Sequence, residues 1–335
     1  MKKVLSTLGL TAAVGLILPQ VAVAKETIVI GEVSWDASIA IENILKVIME
    51  ENFDVDVEII AADQAAIWSA MDKGKGSVDI HPDIWSSSQT EPLAKFVAKG
   101  SRESVKVNQH PYLGTDGFYI PGYIQDEYNV KSVYDLKKPE IAKLFDSDGD
   151  GLGEYWPGAP GWTGVKINQV KAKSYGFDEY FEPVVVSDSI IKAQLKTAYR
   201  KKEGILFYYW TPEWLHYAYD LRKLEEPKFT GYAGDSKKQH EDYNPEGCYK
   251  FNDTENWLED SDITCNIPET EIYIGYSTSL EERAPKVAEF LSKVTLSAGY
   301  VSEWVYKIAS ENEDPVDMAE EWVKNNPKVV ETWLP

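Results

Sequence analysis

Cysteine and histidine are scarce in this sequence. The chain of 335 residues has 2 cysteines and 4 histidines. The histidines show no HExxH or other metal-ligand spacing, and the chain has no CxxC pair, GxSxG elbow or P-loop. The sequence therefore carries no common hydrolase, redox or nucleotide-binding motif. A catalytic site built from a pair of carboxylates is still an alternative, because acidic residues are abundant.

Basic residues are also few. The chain has 34 lysines and arginines against 55 aspartates and glutamates, which gives a formal net charge of −21. This balance argues against nucleic acid and against anionic membrane surfaces as partners. The negative net charge attracts a cationic ligand only weakly, since salt screens charges beyond about 10 Å.

Only the N-terminus carries a long apolar run. Val4–Leu18 is shorter than the about 20 residues of a membrane-spanning helix. Lys2 and Lys3 precede it, and small residues lead to Ala24. This pattern predicts a signal peptide over residues 1–24, cleaved after Ala24, with a retained anchor as the alternative. No cysteine follows the cut, so we expect release into a periplasm and not a lipoprotein. The remaining 335 − 24 = 311 residues suit two lobes.

The two cysteines, Cys248 and Cys265, are 265 − 248 = 17 positions apart. In an oxidising compartment such a pair predicts one disulfide closing a polar, turn-rich surface loop. The chain-entropy model gives such a loop roughly 3 kcal/mol of stabilisation. The alternative, a metal or redox pair, lacks a CxxC spacing and a nearby histidine.

The chain alternates strand and helix patterns. Residues 26–85 predict β-α-β-α-β, with a loop at His81 and Pro82, and hence a parallel sheet flanked by helices. A second strand-and-helix block, including strands over 181–188 and 205–210, interrupts this unit before it resumes. We predict an α/β protein with two lobes, 25–115 plus 275–335 and 116–274. Each lobe has a mixed sheet, and a ligand cleft lies between them.

Aromatic residues gather at the ends of predicted strands. The stretch FYYWTPEW, residues 207–214, holds five rings in eight positions. Trp85 and Trp210 end strands, and Trp162 stands between glycines in PGAPGWTG. Any single tryptophan is explained by core packing, but three at element ends favour a pocket. Aromatic faces suit a quaternary ammonium, which has no N–H to donate. The backbone N–H groups of Thr163 and Gly164, at a helix start, suit a carboxylate on the same ligand.

These motifs resemble the periplasmic glycine betaine/proline betaine-binding proteins of osmoprotectant ABC transporters. The resemblance rests on DIW, the Gly-Trp turn, FYYWTPEW and KKPEIAKLFDSDGDG, and it extends over nearly all of residues 25–335. It implies a two-lobed periplasmic binding protein fold of type II. It also implies a box of Trp85, Trp162 and Trp210 around the cation, with Thr163 and Gly164 holding the carboxylate.

The sequence departs from the family pattern at one position. Gln89 stands where some members have a histidine that contacts the carboxylate. A neutral donor can substitute, and His81 is a weaker candidate for the same role. Trp35 either rims the cleft or packs beside it, and we expect Trp214 to support the site. Asp36 and Asp116 are possible partners of the cation, but we expect both on the solvated surface.

An acidic stretch, DSDGDGLGE, resembles a calcium loop. Asp146, Asp148 and Asp150 take its first, third and fifth positions, and Glu154 takes the ninth. Pro157 stands where the bidentate glutamate of a full loop belongs. A structural Ca²⁺ site and a plain acidic turn are both open, and no cofactor is expected for function.

The sequence thus predicts a non-enzymatic, monomeric solute-binding protein. It captures a small zwitterionic betaine and delivers it to a permease in the inner membrane. Related ligands are dimethylsulfoniopropionate, carnitine and choline, and choline ranks last because it lacks a carboxylate. The alternative of another class is a secreted carbohydrate-active enzyme, because aromatic platforms also stack on sugars and a carboxylate pair would supply the chemistry.

Overall fold

The computed structural model describes residues 25–234, 237–238, 240, 242–267 and 269–335, so the predicted signal peptide lies outside the described residues. Strands of this part are β1 (Glu26–Glu32), β2 (Val55–Ala61), β3 (Ile80–Trp85), β4 (Val105–Val107), β5 (Tyr112–Pro121), β6 (Gly153–Trp156), β7 (Phe181–Pro183), β8 (Leu206–Thr211), β9 (Leu221–Lys223), β10 (Tyr249–Lys250), β11 (Asp262–Ile263) and β12 (Thr270–Ser277).

Helices of the same part are α1 (Asp36–Asn52), α2 (Gln64–Lys73), α3 (Thr90–Phe96), α4 (Gly122–Tyr128), α5 (Pro139–Ala142), α6 (Gly164–Tyr175), α7 (Asp188–Lys201), α8 (Leu215–Ala218), α9 (Trp257–Asp260), α10 (Leu280–Arg283), α11 (Pro285–Lys293), α12 (Ala298–Ser310), α13 (Pro315–Asn325) and α14 (Pro327–Trp333). A 3₁₀ helix covers Val133–Lys137. None of the helices described here is long and apolar enough to cross a membrane.

Eight of these strands form a mixed sheet in the order β2-β1-β3-β12-β5-β8-β6-β7, to which β4 and β9 add by pairing with β12 and β5, and β10 and β11 form a separate pair. β1 is parallel to β2 and β3, and β6 is parallel to β7 and β8. The central pairs of β3, β12, β5 and β8 are antiparallel. Strand β5 is shared: residues 112–114 pair with β12, and residues 115–119 pair with β8. The predicted two-lobed α/β fold is confirmed, although only part of the sheet is parallel.

The predicted loop at His81 and Pro82 is wrong, because β3 runs through both residues. Proline lacks an N–H for the ladder, and a β-bulge accommodates it. β12 places Tyr273 opposite Ile84 and Gly275 opposite His81, so two residues of β3 face one of β12. The strand predicted over 181–188 is also shorter, with three residues in β7.

Apolar periodicity accounts for the helix that precedes the site. Ile41, Ile44, Leu45 and Ile48 of α1 are fully buried, as their spacing along one helix face predicts. α2 ends at Gly74 with φ +60°, a left-handed conformation that glycine adopts without a Cβ penalty. Three tryptophans lie at or just after the carboxyl ends of β1, β3 and β8, and a fourth lies in the turn between β6 and α6.

Candidate functional site

Four tryptophans from four separate segments form a cage. Trp35 follows β1, Trp85 ends β3, Trp162 lies in the turn before α6, and Trp210 belongs to β8. Ring centroids of Trp35 and Trp162 are 5.1 Å apart, and those of Trp162 and Trp210 are 5.4 Å apart. The ring centroids of Trp85 and Trp210 are 6.4 Å apart. The three ring pairs lie at 70° to 83°, so each face meets the edge of its neighbour.

The cage encloses a small cavity. The empty space between the rings is about 340 Å³, including the part that is open to solvent. The lining residues are Trp35, Gln64, Trp85, Ser88, Trp162, Gly164, Tyr208 and Trp210. The structure therefore brings the predicted Trp35, Trp85, Trp162, Trp210 and Gly164 to one cavity.

A buried carboxylate orients two cage rings. Asp83 Oδ2 accepts hydrogen bonds from Trp35 Nε1 and, at 3.1 Å, from Trp85 Nε1. Its Oδ1 accepts from the Tyr112 hydroxyl at 2.6 Å. Burial raises the pKa of Asp83 to about 6, and the three donors oppose this shift. Asp83 thus places a carboxylate behind the rings of Trp35 and Trp85.

The turn that carries Trp162 depends on glycine. Gly161 has φ +84°, and a Cβ there would lie 2.2 Å from Asp63 Oδ1. Only glycine allows this turn to approach the start of α2 so closely. Trp162 Nε1 donates to Ser34 Oγ at 3.1 Å, which ties the turn to the segment after β1.

The polar end of the cavity lies at the start of α6. The Thr163 N–H, a predicted carboxylate donor, donates to Gln64 Oε1 at 2.9 Å. Gly164 begins α6 and lines the cavity, where the positive end of the helix dipole favours an anion. The start of α6 and the four indole rings thus border the same cavity.

Two expected contributors lie behind the cage instead. Gln89 is fully buried, and its Oε1 accepts from Trp68 Nε1 at 2.8 Å. His81 is fully buried in β3, and burial lowers its pKa to about 3, which keeps the ring neutral. Of the residues that the structure describes, Ser88 and not Gln89 or His81 reaches the cavity.

Trp214, Asp36 and Asp116 also lie outside the cavity wall. Trp214 lies outside the cavity wall, in a separate surface depression with Ile308. Asp36 is paired with Lys192 at 2.7 Å. The expectation of a solvated Asp116 is wrong, since it is 5% exposed and accepts from the Tyr208 hydroxyl at 3.2 Å.

Sequence reasoning missed four contributors: Gln64, Asp83, Ser88 and Tyr208. Tyr208 precedes Trp210 by two residues on β8, so strand alternation places both on one face and was sufficient to predict it. The same alternation links Asp83 to Trp85, but the wrongly expected loop obscured it. Gln64 and Ser88 carry no local signal.

The acidic loop brings carboxylates together. Asp146, Asp148 and Glu154 each offer an oxygen, and these oxygens lie within 4.8 Å of one another. The same carboxylates accept N–H groups of the loop, as in Gly149 N–H to Asp146 Oδ1 at 2.6 Å. Asp150 groups instead with Asp148 and Glu182. The oxygen donors fit a hard cation such as Ca²⁺ in type.

The predicted disulfide between Cys248 and Cys265 is present, with Cα atoms 5.8 Å apart. It closes a segment that contains the short antiparallel pair of β10 and β11 and the helix α9. The predicted loop is therefore confirmed, although it carries more regular structure than its polar composition suggested.

Known proteins resemble this chain in sequence and fold. The glycine betaine/proline betaine-binding periplasmic protein of Salmonella typhimurium is 28% identical over 99 residues, 30% of each chain. The matched segments span about a third of the length of the curated relatives.

Solved structures extend the likeness over most of the chain. The glycine betaine/L-proline-binding protein ProX of Borrelia burgdorferi has a TM-score of 0.70 at 19% identity, covering 92% of this chain and 97% of that one. Lactococcal OpuAC, in its closed form with glycine betaine, has a TM-score of 0.68 at 18% identity, covering 93% and 100%. At these identities the likeness shows the fold.

The family model for the substrate-binding domain of ABC-type glycine betaine transport systems, OpuAC, matches residues 26–325. Members of that family are solute-binding proteins, so the carbohydrate-active enzyme is set aside. The chain belongs to the family of substrate-binding domains of ABC-type glycine betaine transport systems.

Proposed function

We propose that this protein captures glycine betaine in the tryptophan cage. The observation that carries the proposal is the set of four indole rings around one small cavity. A trimethylammonium group has no N–H and cannot donate a hydrogen bond, whereas each desolvated aromatic face contributes roughly 0.5 to 2 kcal/mol to its binding. The Asp83 carboxylate behind two of the rings adds attraction for the cation.

Related ligands share this chemistry to different extents. Dimethylsulfoniopropionate and carnitine both combine a methylated cation with a carboxylate. Choline has the cation alone and leaves the polar end at Gly164 without an anion. We therefore place choline last among the ligands of the cage.

Capture leads to transport if the two lobes close on the ligand. We propose that 25–115 plus 275–335 and 116–274 form the lobes, and that the closed, monomeric protein docks on an inner-membrane permease from the periplasm. Two hydrogen bonds beside the cage join these proposed lobes, from Trp162 to Ser34 and from Thr163 to Gln64. The Asp36–Lys192 ion pair joins them nearby.

Calorimetric titration tests the proposal. The mature protein is titrated with glycine betaine, dimethylsulfoniopropionate, carnitine, choline, glycine and a sugar. We expect micromolar or tighter binding of glycine betaine, since its about eight non-hydrogen atoms permit up to roughly 12 kcal/mol. Glycine is expected to bind far more weakly, because it lacks the methylated cation. Equal affinities for glycine and glycine betaine would contradict the cation–π account.

Proteins of this family typically need no cofactor. We separately propose a structural Ca²⁺ at Asp146, Asp148, Asp150 and Glu154, supported by the grouping of the Asp146, Asp148 and Glu154 oxygens, while Asp150 groups with Asp148 and Glu182. Ca²⁺ should then raise the melting temperature more than Mg²⁺ does. An identical melting temperature with Ca²⁺ and with a chelator would refute it.

A further inference from the structure

Gln64 occupies a distinctive place in the cavity wall. It is the first residue of α2, it is 3% exposed, and it lines the cavity together with the cage rings. Its Oε1 accepts the Thr163 N–H at 2.9 Å. The side chain therefore covers a backbone donor that a ligand carboxylate would otherwise reach.

The hydrogen bond fixes the orientation of the Gln64 carboxamide. A backbone N–H can only donate, so the oxygen and not the nitrogen of Gln64 faces Thr163. Nε2, with its two N–H donors, then occupies the other side of the planar amide. Among the described residues, no oxygen accepts from Nε2, and this atom is not sealed from the cavity that Gln64 lines. A ligand carboxylate supplies the acceptor, and the positive end of the α2 dipole favours it there.

We propose that Gln64 determines specificity by donating Nε2–H to the carboxylate of the ligand while Oε1 stays on Thr163. Gln64 thereby favours zwitterions over quaternary ammonium ions that lack a carboxylate. The inference rests on the proposed function, and it replaces the direct contact of the Thr163 N–H with the carboxylate that the sequence suggested.

The test compares two probes on Gln64→Glu. The introduced carboxylate still accepts from Thr163 but replaces the donor with a negatively charged oxygen. We expect glycine betaine affinity to fall by about 10- to 100-fold, because a charge-assisted hydrogen bond is lost and like charges meet. Tetramethylammonium, which has no carboxylate, should bind with unchanged or higher affinity.

Gln194→Glu is the matched control, since Gln194 is exposed on α7 and undergoes the same change in charge. Its affinities for both probes should equal those of the wild type. Thermal unfolding checks that each variant folds. If Gln64→Glu does not fold, Gln64→Met removes the donor without adding charge, and a smaller loss for glycine betaine alone is expected.

Three results would overturn the inference. An equal loss for both probes would make Gln64 a structural support of the cage. Tighter binding of glycine betaine by Gln64→Ala would mean that the carboxylate displaces Gln64 and takes the Thr163 N–H itself. Unchanged affinities for both probes would remove Gln64 from recognition. Failure of the wild type to bind either probe would instead refute the proposed function.

Discussion

The protein contains two tryptophan clusters that differ in purpose. In the helical cluster, Trp304, Trp322 and Trp333 of α12, α13 and α14 have centroids 4.9 Å and 5.9 Å apart in succession. These spacings overlap the 5.1 Å to 6.4 Å of the cage. All three helical rings are at most 3% exposed, and they fill a core. Proximity of rings therefore does not by itself make a binding site.

Polar anchoring distinguishes three of the four cage rings. The indole N–H groups of Trp35 and Trp85 bond to Asp83, and that of Trp162 bonds to Ser34. Among the described residues, Trp304 Nε1 has no hydrogen-bond partner, and neither has Trp210 Nε1 in the cage, so packing holds these two rings. Hydrogen bonds thus fix three of the four cage rings around the cavity.

Replacing a helical ring should change stability and leave binding intact. We expect Trp304→Ala to lower the free energy of unfolding by about 3 to 5 kcal/mol, because a fully buried ring leaves a cavity. Denaturant unfolding measures this loss. Titration with glycine betaine at low temperature, where the variant stays folded, should give the wild-type affinity. A large loss of affinity in the folded variant would remove the distinction between the clusters.

Replacing a cage ring should do the reverse. Trp162→Ala should weaken glycine betaine binding by at least about 30-fold, since a desolvated ring face contributes roughly 2 kcal/mol. Its melting temperature should change little, because Trp162 is only half-buried. Trp257→Ala, at a half-buried ring on α9, is the matched control and should bind normally. Normal binding by Trp162→Ala would exclude this ring from the site.

The sequence predicted the four cage tryptophans more readily than the groups that orient them. Strand ends and a glycine-flanked turn are local features, so Trp35, Trp85, Trp162 and Trp210 were recognisable. Gln64 and Gln89 depend on how α2 and α3 rotate against the sheet, which local sequence does not determine. Asp83 required knowing that β3 continues past Pro82, and only the bulge opposite β12 explains this.

The charge of Asp83 offers a smaller, pH-dependent test. Its pKa is about 6 in the fold against 3.8 for an ordinary aspartate, so the folded protein binds this proton more tightly than the unfolded chain. The stability contributed by Asp83 is therefore full below pH 3.8 and is lost as pH rises through 6. Ligand binding should favour the ionised form, because a negative charge behind the rings attracts the cation.

We expect glycine betaine affinity to fall about 3- to 10-fold between pH 7.5 and pH 5, as Asp83 is protonated. Asp83→Asn keeps an acceptor for both indole N–H groups, and its amide can donate to the Tyr112 oxygen. That variant should show the low-pH affinity at both pH values. Titrations of both proteins across this range measure the effect, and a parallel pH profile in Asp83→Asn would assign it to another group.

The smallest expected effect concerns Ser34, which accepts the hydrogen bond of Trp162 and so anchors the turn that carries this ring. Ser34→Ala removes the acceptor of Trp162 Nε1 at a partly exposed site, where one hydrogen bond is worth about 1 kcal/mol or less. We expect a 2- to 5-fold weaker affinity for glycine betaine, on the order of that energy, with unchanged stability. The bond joins the two proposed lobes, so the loss should appear in the dissociation rate measured by stopped-flow tryptophan fluorescence. Ser302→Ala, whose hydroxyl donates to Ala298 within α12, is the control. A slower association rate with unchanged dissociation would show that Ser34 shapes the open cleft and does not hold the closed cage together.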